Sequence, residues 1–430
     1  MADNNILKLG IAGDIVDFII CAEAELTSVF ARLDAIEISN QAKVLTAFQR
    51  KNIGARHFAP TTGYGYDDIG RDALDSVFAY ALDSEDALVR PQLISGTHAI
   101  FTALSGLLEP GDAMLAITGV PYDTLRGAIG ITGNESSSLK RCGIDYMQTE
   151  LCGDECDEID IAAVTQMLDL KPNIKVVYVQ RSRGYSWRNA LDANKLKNAF
   201  AVVKAHRPDV IIMVDNCYGE FTQTEEPSAY GADVIVGSLI KNPGGGIAPT
   251  GGYIAGKADY IERISNRLTV PGIGREAGSY AGSYIPFFQG LFLAPHVTMQ
   301  SLKSAVLFAK VFEKLGMVSM PKSDAMRSDI VQSIRFDSAD ALIAFCQSIQ
   351  KAAPIDSYAV PEPWAMPGYD DKVIMAAGAF IQGASIELSA DAPIKKPYTA
   401  YIQGGLTYSH GRLGAMFALS ELVRIGLVHL

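Results

Sequence analysis

A carboxylate and a lysine, each closing an apolar run, are the residues of this chain best placed for chemistry. Residues 210–214 (VIIMV) are short, apolar and rich in β-branched side chains, which predicts a buried strand ending on Asp215. A second apolar run over 233–240 ends on Lys241, and the chain then breaks into Asn242-Pro243-Gly244-Gly245-Gly246. In an open α/β sheet such strand ends line the crevice where ligands bind. A lysine flanked there by apolar residues loses hydration, which disfavours its ammonium and leaves a free amine as nucleophile. A lysine able to form a Schiff base, together with an acid to pair with a pyridinium nitrogen, is what pyridoxal 5'-phosphate requires. The same two residues would also suit a plain salt bridge, so the rest of the chain must decide between these readings.

Other segments supply complementary groups. Ser95-Gly96-Thr97 stands at the start of a helix expected to run to about Leu108. Small hydroxyl residues and a glycine at a helix start offer free N–H groups, the positive end of the dipole and hydroxyl donors to an anion; an ordinary N-cap would look the same. Tyr122 follows the expected strand Ala113–Thr118 and could lay its ring on a flat ligand. Ser238, three residues before the lysine, could reach the same anion. Tyr64 and Tyr66 sit among glycines in HFAPTTGYGYDDIG (57–70), a loop that either packs locally or reaches a site. The glycines after Lys241 are not a nucleotide-binding loop, because the glycine–lysine order and the following helix are missing; they predict a tight turn into another strand. For a substrate carboxylate the candidates are Arg275, in the glycine-rich GIGREAGSYAG (272–282), Arg412 and the pair Lys395–Lys396.

The elements that must position these groups alternate. Strands are expected at Ile144–Gln148, Val176–Val179 and Val210–Val214, with helices at Ile159–Leu170 and Asp192–His206 between them. That alternation predicts an α/β domain with a mostly parallel sheet, helices on both faces. Amphipathic helices are expected at 11–33 and 39–51, the first on Ile15, Phe18, Ile19, Ala22 and Leu26, and a further helix at 71–82. Toward the C-terminus, strands at about 329–336 and 380–388 mix with helices at about 338–351 and 409–425. The division is therefore an N-terminal helical segment (1–60), a large α/β domain (61–300) and a smaller α+β domain (301–430).

Composition narrows the class. The chain has 430 residues, 48% hydrophobic and 20% charged, a globular balance. A formal net charge of -11 argues against a nucleic-acid surface or a polybasic membrane patch. Neither a signal peptide nor an apolar run of the ~20 residues that span a bilayer is visible, so a cytoplasmic protein is expected. Six scattered cysteines fit free thiols, and CGDEC (152–156) lacks the spacing and the second pair of a metal site.

Taken together, the helix-start anion site, the tyrosine, the strand-end acid, the preceding hydroxyl and the lysine occur in the order used by fold-type-I pyridoxal-phosphate enzymes, the aspartate aminotransferase fold. The chain resembles, over essentially its whole length, the methionine gamma-lyase-related family, some of whose members are described as aluminium resistance proteins or cystathionine beta-lyases. The resemblance rests on TTGYGYDDIGRD (61–72), ISGTHAI (94–100), VDNCYGEF (214–221), GSLIKNPGGGIAPTGGYIAG (237–256), SIELSADAP and YIQGGLTYSHGRLG. It implies a seven-stranded sheet and a cofactor aldimine at Lys241, with Asp215 on the ring nitrogen and Tyr122 on the ring. It also implies a phosphate held by Ser95, Gly96, Thr97 and Ser238. A tyrosine from a neighbouring subunit, Tyr64 or Tyr66, would reach that phosphate, making the active unit a homodimer or homotetramer. The implied reaction is elimination from a sulfur amino acid; the alternatives are sulfhydrylase or aminotransferase chemistry, or a non-catalytic protein linked to aluminium resistance. The pattern departs from related enzymes at Cys217 and Ile240, where small hydroxyl residues are usual, and in lacking their late arginine motif.

Overall fold

In the computed structural model, residues 4–133, 135–366 and 371–430 are described. The chain divides into two compact units, Ser39–Pro295 and Met1–Ile38 with His296–Leu430, so the N-terminal residues group with the C-terminal region.

The Ser39–Pro295 unit is built on a seven-stranded sheet. Its order is Asp86–Arg90, Gly252–Gly256, Val234–Ser238, Ile211–Asp215, Ile174–Gln180, Ala113–Ala116, Asp145–Gln148. Neighbours are parallel except around Gly252–Gly256, which runs antiparallel to the strand on either side. The central strands are apolar on both faces because both are covered. Val177, Val179, Ile212 and Val214 point to one face, with Leu74 and Phe78 of the helix Ile69–Ala81 and Leu196 and Phe200 of the helix Ala193–His206. Their alternates Val176, Tyr178, Ile211 and Met213 meet Ile100 and Leu104 of the helix Gly96–Leu107 and Ile261 and Ile264 of Ala258–Leu268. The parallel strands therefore send their carboxyl ends, including Asp215 and Ser238, to one edge of the sheet.

The other unit carries a five-stranded antiparallel sheet, in the order Ser319–Met320, Gln332–Phe336, Tyr398–Gln403, Ser389–Pro393, Val373–Ala376. The helices Ala339–Ala352 and Tyr408–Arg424 pack together through buried residues including Leu342, Phe345, Met416 and Leu419.

Two segments differ from the sequence reading. The N-terminal helix breaks after Ala24, not near residue 35, and the chain is then helical without interruption over Thr27–Arg50. Buried Val29, Leu33, Asn40, Val44 and Ala47 keep helical spacing through the expected gap. The strand expected at 380–388 begins instead at Ser389. Residues 380–387 are folded back because the Glu387 carboxylate accepts the N–H groups of Phe380 and Ile381, at 2.9 and 3.0 Å. Among the described residues no helix is long and apolar enough to cross a membrane.

Candidate active site

Asp215 is the last residue of its strand and is buried. One carboxylate oxygen accepts the Cys217 N–H at 3.1 Å, and the other accepts the Tyr178 hydroxyl at 3.3 Å. Burial holds its carboxyl above the usual carboxylate range, against the opposing pull of Lys241 and of the Cys217 and Tyr178 donors.

Lys241 follows the neighbouring strand Val234–Ser238. Its Nζ lies 3.9 Å from the centroid of the Tyr218 ring, within cation–π range. Dehydration alone predicts a depressed lysine; the structure shows the opposite net direction. Burial does oppose the ammonium, but Cys217, Tyr218, Asp215 and Tyr122 surround it and together hold it well above the ordinary lysine range.

The turn after Lys241 is forced by sterics. A Cβ on Gly244 would strike the Leu239 carbonyl, and Gly245, at φ +55°, sits against the Gly290 backbone of the helix Ile285–Lys314. The backbone thus turns back on itself immediately after the lysine.

The helix Gly96–Leu107 starts at the same edge. Ser95 is its N-cap, accepting the His98 N–H at 3.1 Å, and the first intrahelical bond runs from Ala99 to the Ser95 carbonyl. The N–H groups of Gly96 and Thr97 precede that bond and point out of the helix. A Cβ on Gly96 would come within 3.3 Å of Cys217 Sγ and 3.4 Å of Ser238 Cβ, which places the helix start against the strand ends. Tyr122, which caps the helix Asp123–Ile129, shares a short hydrogen bond with Thr97 Oγ1, and Thr97 Oγ1 meets Thr124 Oγ1 at 3.0 Å. The Tyr122 N–H donates to Gln180 Oε1 at 2.9 Å. Burial, and then the charge of Asp215, push its phenol up, so it stays protonated.

Lys241, Asp215, Tyr122, Ser95, Gly96, Thr97 and Ser238 are thus brought to one edge of the sheet. Tyr64 and Tyr66, in the glycine loop, stack on each other at 5.5 Å and are exposed by 70% and 58%. Arg275 is committed to acids of the sheet edge, bonding Asp86, Asp75 at 3.1 Å and the Ala87 carbonyl at 2.9 Å. Arg412 belongs to the other unit and pairs with Glu23 at 3.0 Å. Lys395 pairs with Asp371 at 2.6 Å.

Three neighbours of the site are new. Tyr178 orients Asp215, Tyr218 faces Lys241, and Glu220 is a fully buried acid in the same turn. Tyr218 and Glu220 were visible in VDNCYGEF only as polar residues of the turn that follows the strand-end acid. Tyr178 carried no signal beyond its place in a strand.

Comparisons with known proteins cover nearly the whole chain. The family model described as methionine gamma-lyase matches residues 15–423. The Bacillus subtilis protein YnbB is 50% identical over 407 residues, covering 94% of this chain and 96% of its own. The crystal structure of a carbon-sulfur lyase involved in aluminum resistance from Clostridium novyi superposes with a TM-score of 0.94 at 50% identity, over 98% of this chain and 100% of that one. A pyridoxal-5'-phosphate-dependent protein of Escherichia coli, YhfS, shares the fold at 17% identity and a TM-score of 0.60, over 90% and 96% of the two chains.

Proposed function

Because this chain belongs to the methionine gamma-lyase family, we propose that it is a carbon–sulfur lyase that releases a thiol from a sulfur amino acid. Pyridoxal 5'-phosphate is the cofactor. The residues present fit that group. Gly96 leaves a cradle that a Cβ would narrow, beside two outward N–H groups and the Thr97 hydroxyl, and Asp215 is a buried carboxyl poised to meet a basic ring nitrogen. Ser95, Gly96, Thr97 and Ser238 would hold the phosphate, Asp215 the ring nitrogen, Tyr122 the ring face and Lys241 the aldehyde carbon. When bound, the cofactor supplies an electron sink that acidifies the Cα of an attached amino acid.

This chain's own residues supply the rest. Lys241, once released as a free amine, is the base that takes the Cα proton. A thiolate on the β carbon then leaves with the C–S bonding pair, whereas one on the γ carbon leaves only after a Cβ proton has also been removed; in either case the thiolate acquires a proton, and hydrolysis leaves a 2-oxo acid and ammonia. Asp215, kept in place by Tyr178 and the Cys217 N–H, would stabilise positive charge on the ring nitrogen. Burial of the site strengthens both interactions.

The observation that carries the reading is the placement of Lys241 and Asp215 at the ends of two adjacent parallel strands, with the Gly96 helix start against both. The stacked, exposed rings of Tyr64 and Tyr66 support a homodimeric or homotetrameric active unit, in which one subunit's loop is covered by its neighbour. To test the activity, the cofactor-loaded protein is incubated with cystathionine, methionine and cysteine in turn, with and without an added thiol acceptor. Thiol, 2-oxo acid and ammonia in equal amounts are expected. Amino-group transfer without thiol release, or no product from any of the three, would overturn the proposal.

A further inference from the structure

Glu220 is a buried acid that the mechanism above does not use. It is fully enclosed, 0% exposed, in the turn between Asp215 and the second site strand. One oxygen accepts the Tyr253 hydroxyl at 2.9 Å; the other, Oε2, has no hydrogen-bond partner. Among the described residues no guanidinium or ammonium forms an ion pair with this carboxyl, unlike nearby Glu226, which lies 3.7 Å from the Arg181 guanidinium and accepts the Asn216 amide at 2.8 Å. Gly237 gives it room: a Cβ there would strike the Glu220 carboxyl and the Tyr253 ring. The backbone of Glu220 is tied to the residue after Lys241, because Asn242 donates to its carbonyl at 3.0 Å.

We propose that Glu220 is a positioning residue for Lys241, a buried carboxyl behind the lysine turn whose charge state sets how firmly the Lys241 nitrogen keeps its proton. The inference rests on the reading of Lys241 as the cofactor-bearing amine. The geometry supplies the reasons. A carboxylate sealed from water with one oxygen unpaired is costly to charge, so the protonated form is favoured. Four titratable groups face it: Tyr253 from the reversed strand, Glu226 from beyond the turn, Lys241 and Cys217. Burial, and then Glu226, push Glu220 up; its own backbone N–H, then Tyr253 and Lys241, pull it down, and the outcome is about 8. Below that pH the pocket behind the lysine is neutral. Above it, a negative charge appears in the interior and stabilises positive charge on Lys241, adding to that of Asp215.

The test is a pH titration, from 6 to 10, of the visible absorption of the cofactor-loaded full chain, which reads the protonation of the Lys241 nitrogen without requiring turnover. Glu220→Gln, neutral at every pH and nearly isosteric, is expected to lower the midpoint by roughly one pH unit, a tenfold weaker hold on the proton. Tyr253→Phe removes the donor that favours the carboxylate, and is expected to move the midpoint in the same direction by less; it serves also if Glu220→Gln fails to fold. Infrared spectra should show a protonated-carboxyl carbonyl band near neutral pH that Glu220→Gln lacks. Superimposable midpoints in the parent and both variants, or no such band in the parent, would overturn the proposal. Either result leaves the lyase reading intact, since that stands on thiol release.

Discussion

Asn242 holds the backbone of Glu220. Its side-chain amide donates to the Glu220 carbonyl at 3.0 Å and, at the same distance, to that of Tyr218. The residue following the lysine therefore fixes the turn that carries the ring facing the lysine. Asn242→Ala would leave two enclosed carbonyls without donors. The expected loss is roughly 2–4 kcal/mol of unfolding free energy, measured by urea denaturation, with weaker retention of the cofactor through gel filtration.

Lys241→Ala should abolish the visible absorption that survives desalting and cut lyase turnover by at least about 10³-fold, a loss within the range for a positioned acid–base group. Thermal stability should hold or fall, since removing the cation leaves the buried Asp215 carboxyl without its opposing charge. Retention of the cofactor's colour through desalting would show that another amine anchors it.

Asp215→Asn keeps the shape of the strand end while removing its charge. Turnover should fall by about 10²–10⁴-fold. Tyr178→Phe, which removes only the hydroxyl that orients Asp215, should cost about tenfold, in keeping with ~1.4 kcal/mol for one hydrogen bond. Steady-state rates of both variants at saturating cofactor settle the order.

Gly96→Ala adds a methyl group 3.3 Å from Cys217 Sγ and 3.4 Å from Ser238 Cβ. The chain should fold, since Gly96 is helical and alanine is the better helix former. Cofactor affinity, followed by quenching of intrinsic fluorescence, should weaken by about tenfold or more if the phosphate is seated on that helix start.

Glu220 also gives stability a pH dependence. Its folded value, about 8, lies above the unfolded value near 4.5, so the folded state binds the extra proton. The contribution is complete below pH 4.5 and is lost as pH rises toward 8, at about 1.4 kcal/mol per pH unit between them. Urea midpoints at pH 5, 6.5 and 8 should fall less steeply in Glu220→Gln than in the parent.

Arg275→Ala separates support of the fold from binding of substrate. With its guanidinium engaged by Asp75 and Asp86, the change should reduce stability by roughly 1–3 kcal/mol and leave KM within about twofold. A raised KM at unchanged stability would return Arg275 to the substrate carboxylate.

The parts of the site that could be read from sequence are those whose signal is local. Asp215 and Lys241 stand out because each closes a β-branched apolar run, and Ser95–Thr97 because a hydroxyl–glycine–hydroxyl triplet opens an apolar helix. What could not be read depends on distant partners. The acids that engage Arg275 lie 189 and 200 positions away, and the hydroxyl that satisfies Glu220 lies 33 positions on. The direction of the Lys241 shift failed for the same reason: dehydration follows from the flanking residues, but the groups around the amine include Asp215, from the neighbouring strand, and Tyr122, from a separate loop. The early break of the first helix and the late start of the strand at Ser389 reflect side-chain and packing choices that periodicity alone does not resolve.

The loop bearing Tyr64 and Tyr66 is laced to the second glycine-rich loop. The Gly278 N–H donates to the Tyr64 carbonyl at 2.9 Å, Ser279 Oγ to that of Gly63 at 2.8 Å, and the Thr61 N–H to that of Tyr280 at 2.9 Å. A Cβ on Gly65 would lie 2.8 Å from the Ser279 backbone, so neither segment has slack. Their lengths are consequently a single inherited quantity. A residue inserted into one without a matching change in the other would unlace them and carry the tyrosine pair away from wherever it docks, so homologous chains should lengthen or shorten these two loops only in concert.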